Sequence, residues 1–256
     1  AEVDKNVKTD VAVLGDVKES LAALLPLVEA KSHEAWHNEF KEKYKIELES
    51  VINDELNPKG EGISMGETIE MINKHSNGDA IMVSDVGQHQ MFTCRYSKFN
   101  QSKSNITSGG LGTMGFALPA AIGAKMGQPD REVVAIIGDG GFQMTIQELG
   151  TIFQTRVPVK IVVLNNEFLG MVRQWQQLFF DKRYASTEMI NPNFIAIAEG
   201  YYIKAKKVTK REDLDAAVAE MLASKEAYFL EVMVEKENNV FPMIPTGASV
   251  SDIRLS

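Results

Sequence analysis

The sequence predicts an α/β domain built on a doubly wound, mainly parallel sheet with helices on both faces. Three observations predict it. The apolar runs 133–137 and 157–164 are strand-sized. Each leads into a turn of small or amide residues, Gly138-Asp139-Gly140-Gly141 and Asn165-Asn166, and then into a helical pattern. Strand segments that alternate with helices of about 10 to 15 residues make βαβ units, which require a parallel sheet covered on both sides.

Taken in order, residues 11–14 read as a short apolar strand, Gly15-Asp16 as a turn, and the stretch from Ser20 as a helix carrying Leu21, Leu24, Leu25 and Val28. One strand and one helix cannot enclose a core. Residues 31–46 read as a charged helix with Trp36, Phe40 and Tyr44 on one face, and the polar, Pro- and Gly-containing stretch 53–62 as a linker. Ser64-Met65-Gly66-Glu67 has the form of a capping box ahead of a helix over 68–75, and the apolar strand 80–84 follows. The polar stretch 100–108 gives no strand. Strand–loop–helix units then span 133–154 and 160–180, with helices near 194–199 and 212–223 and a strand over 228–234. The tail, 238–256, is mixed and Pro-containing and is expected to pack across the surface. The domain boundaries expected from this pattern are 1–30, 31–63, 64–235 and 236–256.

With 44% hydrophobic and 24% charged residues, the chain has the composition of a soluble globular protein. The formal charge of −8 lacks any basic stripe, which argues against a nucleic-acid partner. Cys94 is the single cysteine, so no disulfide can close within the chain and a reducing, cytoplasmic setting fits. The apolar runs fall well short of the roughly 20 residues that cross a bilayer, so no membrane partner is expected. The opening residues lack a basic segment followed by an apolar core, and read as the interior of a longer protein.

In open parallel sheets ligands sit beyond the carboxyl ends of the strands, which is where Asp139 and Asn166 fall, one crossover apart. A carboxylate, an amide oxygen and a main-chain carbonyl are hard oxygen donors suited to magnesium, which takes its remaining ligands from water and phosphates. The Gly140 and Gly141 amides would favour a diphosphate beside it. For Gly138-Asp139-Gly140 alone, a tight turn with Asp as helix cap is the better explanation.

The Gly-Asp-Gly turn, the interval and Asn165-Asn166 together resemble the thiamine-diphosphate signature of the 2-oxo-acid decarboxylase superfamily. The segment 164–176, Leu-Asn-Asn-Glu-Phe-Leu-Gly-Met-Val-Arg-Gln-Trp-Gln, is similar to the acetolactate synthase family in particular. So are Val86-Gly87-Gln88-His89-Gln90, the loop 108–115 and the tail 241–249. This resemblance extends over nearly the whole chain. It implies that Asp139, Asn166 and the main-chain oxygen of Phe168 hold Mg2+. Gln88, His89, Gly140 and Gly141 would surround the diphosphate, with Val86 and Gly87 in the same cofactor loop. Gly112 would bond the aminopyrimidine through its backbone, Met114 would prop the cofactor into its bent shape, and Met171, Val172 and Trp175 would line the substrate pocket. Phe168 stands where the family commonly has polar residues, and Gly141 where it commonly has Ser.

The resemblance further implies that 1–30 is the end of a middle, FAD-binding domain. The Glu that activates the aminopyrimidine is expected in an N-terminal domain outside this chain, so residues 1–256 alone are expected to be inactive. Small 2-oxo acids, a homodimer or larger homo-oligomer and a regulatory small subunit are the implied partners. Another thiamine-diphosphate-dependent carboligase, decarboxylase or oxidase, or a non-catalytic module of the same fold, remains open at this point.

Two other patterns carry less. His33-Glu34-Ala35-Trp36-His37 has zinc-protease spacing, but it lies on a charged helix with no histidine soon after it to complete the set. Gly110-Leu111-Gly112-Thr113-Met114-Gly115 fits a dinucleotide fingerprint, and is rejected here because no strand is expected before it.

Overall fold

The structure is a computed structural model that describes residues 2–256. It divides into two compact units, the first ending at Lys45 and the second covering Ile46–Ser256. In the first unit, Asp16 caps helix α1 (Val17–Leu24) by accepting the Lys18 and Glu19 amides. Helix α2 (Glu34–Glu47) begins after a short turn over Leu25–Leu27. The strand expected at 11–14 does not form. A strand needs a neighbour to take its backbone hydrogen bonds, and no strand partner exists for this segment among the described residues.

The second unit opens with a helical turn over Leu48–Ile52 and α3 (Asn53–Leu56), so the expected linker starts as helix, anchored by the buried Glu55. Helix α4 (Met65–Ser76) begins at the predicted capping box, with the Ser64 amide on the Glu67 carboxylate at 3.1 Å and the Glu67 amide on Ser64 Oγ at 3.0 Å. The remaining elements follow in order: β1 (Ile81–Ser84), α5 (Gln88–Tyr96), β2 (Asn105–Thr107), α6 (Ala117–Gly127), β3 (Val133–Gly138), α7 (Asp139–Met144), α8 (Leu149–Thr155), β4 (Lys160–Asn165), α9 (Gly170–Phe179), α10 (Phe194–Gly200), β5 (Lys204–Val208), α11 (Leu214–Ala223) and β6 (Tyr228–Met233). The strands form one sheet in the order β2-β1-β3-β4-β6-β5, with every pair parallel.

Alternation along each strand divides the core into two layers. Val134, Ile136, Val162, Leu164, Leu230 and Val232 pack on α4, α5 and α11, while Val133, Ala135, Ile137, Ile161, Val163 and Phe229 face α6, α8 and α10. Both faces are buried, which is why the central strands read as continuous apolar runs. Each Val, Ile, Leu or Phe among them contributes about 1.5–3 kcal/mol through burial.

The structure adds two strands at the sheet edges. β2 lies within the polar stretch 100–108, so the dinucleotide-like loop does follow a strand. However, β1 lies between β2 and β3, so β2 and the strand after the loop are not the adjacent pair that a dinucleotide fold uses. β5 carries Lys204, Lys206 and Lys207, charges suited to an edge that must not recruit another strand. The helix expected over 142–154 divides at Thr145, whose backbone leaves the helical region, into α7, a short turn and α8. The chain runs from β1 outward to β2 and later from β3 the other way, so a crevice opens at the carboxyl ends of β1 and β3.

Candidate functional site

That crevice is a cleft of about 730 Å³. The loop after β1 contributes Val86, Gly87, Gln88 and His89, and the loop before α6 contributes Gly112 and Met114. The end of β3 and the start of α7 bring Asp139, Gly140 and Gly141, and the segment after β4 brings Asn166 and Phe168. Met171, Val172 and Trp175 on α9 form one wall. All fourteen residues singled out in the sequence line this single cleft.

Register explains how the two sequence clusters meet. Gly138 pairs with Leu164, so Asp139 and Asn165 leave the sheet side by side. Asp139 is 2% exposed, and burial pushes its carboxyl up to about 6, against hydrogen bonds from Asn191 and from the Gly140 and Glu167 main-chain amides. Asn166 Oδ1 accepts the Phe168 amide at 3.1 Å, closing a turn in which Glu167 takes a φ of 60°. The turn is clamped by residues 187–189: the Leu169 amide donates to Thr187 at 2.7 Å and the Met189 amide to Glu167 at 2.8 Å. Phe168 sits inside this clamped turn and lines the cleft.

The residues fit a magnesium–diphosphate group. The donors to Asp139 are neutral, and no Lys, Arg or His pairs with it among the described residues. A buried carboxylate without a countercharge is costly, and a divalent cation held with Asn166 and a main-chain oxygen would supply one. The glycines leave room where side chains would intrude. A Cβ on Gly140 would lie 2.8 Å from Leu169 Cδ2, and one on Gly170 would collide with Gln88 Oε1 and lie 2.7 Å from Asn166 Nδ2.

His89 is fully buried, with its ring against Gly87 and Gly138; a Cβ on either would come within 2.8 Å of its Cε1. Burial holds its pKa down at about 4, so the imidazole is neutral, and Nε2 has no partner. Gln88 turns its NH2 away from the loop, to Gln174 Oε1 at 2.8 Å and the Asn238 carbonyl at 3.0 Å, leaving Oε1 unpaired. Across the cleft, Gly112 holds a φ of 64°, a left-handed turn that favours glycine, and Met114 Cε reaches to 3.7 Å of the Cβ position of Gly140. Trp175 is 38% exposed and rests on Phe179, so it belongs to the cleft wall and not to the core.

Sequence reasoning missed several contributors. Asp85, the first residue after β1, is buried and accepts the Gly115 amide at 3.0 Å and the Ala117 amide at 3.2 Å; its place at a strand's carboxyl end was the available signal. Asn191 donates to Asp139 Oδ2 at 2.8 Å from a loop with no periodic pattern to mark it. The tail does more than cover the surface: Gln174 binds both the amide and the carbonyl of Val240, and Pro242, Met243, Ile244 and Ile253 line the cleft.

Residues 85–232 match the family described as thiamine pyrophosphate enzyme, C-terminal TPP binding domain. The chain is 41% identical over 248 residues to the acetolactate synthase large subunit of Lactococcus lactis, covering 96% of this chain and 42% of that protein. It is 38% identical to the acetolactate synthase isozyme 2 large subunit of Escherichia coli, covering 99% of this chain and 45% of that protein. The chain thus spans less than half the length of these relatives. A solved thiamine diphosphate-dependent 4-hydroxybenzoylformate decarboxylase from Rhodococcus jostii RHA1 superposes with a TM-score of 0.64 at 27% identity, over 69% of this chain and 33% of that one.

Proposed function

This chain belongs to the thiamine pyrophosphate enzyme family, and we propose that it is the cofactor-binding part of an acetolactate synthase catalytic subunit. The observation that carries the reading is Asp139: a buried carboxylate with only neutral partners, at the lip of a cleft that also holds Asn166. The roughly 40% identity to acetolactate synthases favours that activity over other carboligases, decarboxylases or oxidases of the family.

When bound, thiamine diphosphate supplies the centre that takes up electrons as a 2-oxo acid loses carbon dioxide and that passes the two-carbon unit to a second 2-oxo acid. The residues of this chain bind and orient. Asp139, Asn166 and the Phe168 main-chain oxygen hold Mg2+. The loop Val86, Gly87, Gln88 and His89, with Gly140 and Gly141, takes the diphosphate, and the neutral His89 ring can donate to it without adding charge. Gly112 and Met114 support the aminopyrimidine end. Met171, Val172 and Trp175 give the second 2-oxo acid, pyruvate or 2-oxobutyrate, an apolar wall that excludes water.

In this reading 64–235 is the cofactor domain, 31–63 a linker, 1–30 the end of an FAD-binding domain and 236–256 a closing tail. The activating Glu and the body of the FAD domain belong to the rest of a full-length, homo-oligomeric cytoplasmic enzyme that also takes a regulatory small subunit. Among the described residues no helix is long and apolar enough to cross a membrane.

Calorimetry of this chain with thiamine diphosphate tests the proposal. Binding should require Mg2+, vanish in Asp139→Ala and weaken in Asn166→Ala, which removes a neutral ligand. Binding that ignores Mg2+ or survives Asp139→Ala would overturn it.

A further inference from the structure

A run of polar side chains crosses the carboxyl edge of the sheet, and each link has a fixed direction. Lys207 on β5 donates to Glu231 Oε1 at 3.1 Å, and Asn165 at the end of β4 donates to the same oxygen at 2.7 Å. Asn191 Nδ2 then donates to Asn165 Oδ1 at 3.1 Å and to Asp139 Oδ2 at 2.8 Å. Gln143 donates to Asn191 Oδ1 at 2.9 Å from the other side.

The directions follow from chemistry. A carboxylate only accepts, so Glu231 fixes the NH2 of Asn165 toward itself and the oxygen of Asn165 toward the cleft. That oxygen already takes the Glu167 amide at 3.0 Å and needs donors. Asn191 can therefore present only its NH2 to Asn165 and Asp139, and the Gln143 donor holds the opposite end of the amide in the same sense. Reversing the amide would set oxygen against two acceptors. The sheet does not need this arrangement. Glu231 is 3% exposed in a strand otherwise made of Tyr228, Phe229, Leu230, Val232 and Met233, where an apolar residue would avoid the cost of burying charge.

We infer that Asn191 is a positioning residue for the metal-binding carboxylate, holding Asp139 through Oδ2, and that Glu231 sets the amide orientation that makes Asn191 a donor. The inference rests on the reading that Asp139 binds the ion. Asn191 holds Oδ2 beside the Gly140 and Glu167 amides, and of about four lone-pair sites on the carboxylate a cation would take one that these donors leave.

Mn2+ binding to the chain in the presence of thiamine diphosphate, followed by electron paramagnetic resonance, tests it. Asn191→Ala should weaken Mn2+ about 10- to 100-fold, the usual effect of losing a partner that orients a ligand, while the melting temperature of the metal-free chain stays close to wild type. Glu231→Leu should weaken Mn2+ in the same direction, whereas Glu231→Gln, which keeps an acceptor oxygen facing Asn165, should restore affinity. Unchanged Mn2+ affinity in Asn191→Ala, with Asp139→Ala abolishing binding, would overturn this inference and leave the proposed function intact. Unchanged affinity in Asp139→Ala would overturn both. A lowered metal-free melting temperature in Asn191→Ala with unchanged Mn2+ affinity would assign Asn191 to the fold alone.

Discussion

The Asp85 carboxylate fills the space that a side chain on Gly141 would need. From there it accepts the Gly115 and Ala117 amides, so the end of β1 is tied to the turn that carries Gly112 and Met114 and to the first turn of α6. Burial raises the Asp85 carboxyl above the ordinary carboxylate range, opposed by these amides.

Gly141→Ser should therefore be damaging in this chain. The added side chain must push the Asp85 carboxylate off its amides, at about 1–3 kcal/mol for an overpacked buried site. Thermal denaturation should show the loss, and Gly141→Ser combined with Asp85→Ala should recover part of it. An unaltered melting temperature in the single variant would show that Asp85 moves aside freely.

His89 should make stability depend on pH below neutrality. Its folded pKa of about 4 lies below the ordinary histidine value of 6.5, so well above 6.5 the imidazole is neutral whether folded or not. Between 6.5 and about 4 the unfolded chain takes up a proton that the folded chain refuses, and stability falls as pH falls. From pH 7 to pH 5 the share due to His89 is a loss of about 2 kcal/mol, offset in part by Asp139, whose carboxyl, pushed up to about 6, takes up a proton in the folded chain over the same range. Urea titrations at the two values should show wild type losing about that much more stability than His89→Asn, since Asp139 acts equally in both. An equal drop in the variant would place the pH sensitivity elsewhere.

Trp175 should act on selectivity more than on folding. It is partly exposed on the cleft wall, so Trp175→Leu in the full-length enzyme should shift the product ratio from mixed pyruvate and 2-oxobutyrate and cost less than about 1 kcal/mol of stability, as expected away from a packed core. A collapsed melting temperature with an unchanged ratio would make it a structural residue.

The parts of this molecule that sequence revealed are those whose cause is local. Asp139 and Asn166 are marked by the Gly and Asn residues that end long apolar strands, and the start of α4 is marked by Ser64 and Glu67 three residues apart. The parts that stayed hidden depend on neighbours far away in the chain. Residues 105–107, Asn-Ile-Thr, lie in a mostly polar stretch and become strand where β1 offers an edge, while 11–14 are apolar and remain irregular for want of one. Asn191 and Val240 carry no signature at all, because what gives them a role is a partner reached through space, Asp139 in one case and Gln174 in the other.

The strand order also constrains how the protein is made. When β4 is made its partner β3 is already present, but its other side must wait for β6, because Lys160 pairs with Tyr228 and β5 pairs with β6 and not with β4. Throughout that interval a nascent chain carries an apolar, hydrogen-bond-hungry strand edge, the feature that invites misassociation. Long-range parallel pairing is intrinsically slow to form, which prolongs the exposure. Since Glu231 and Val240 arrive with or after β6, the cofactor lip is among the last regions to consolidate, and capture of the ligand would mark a chain that has finished folding.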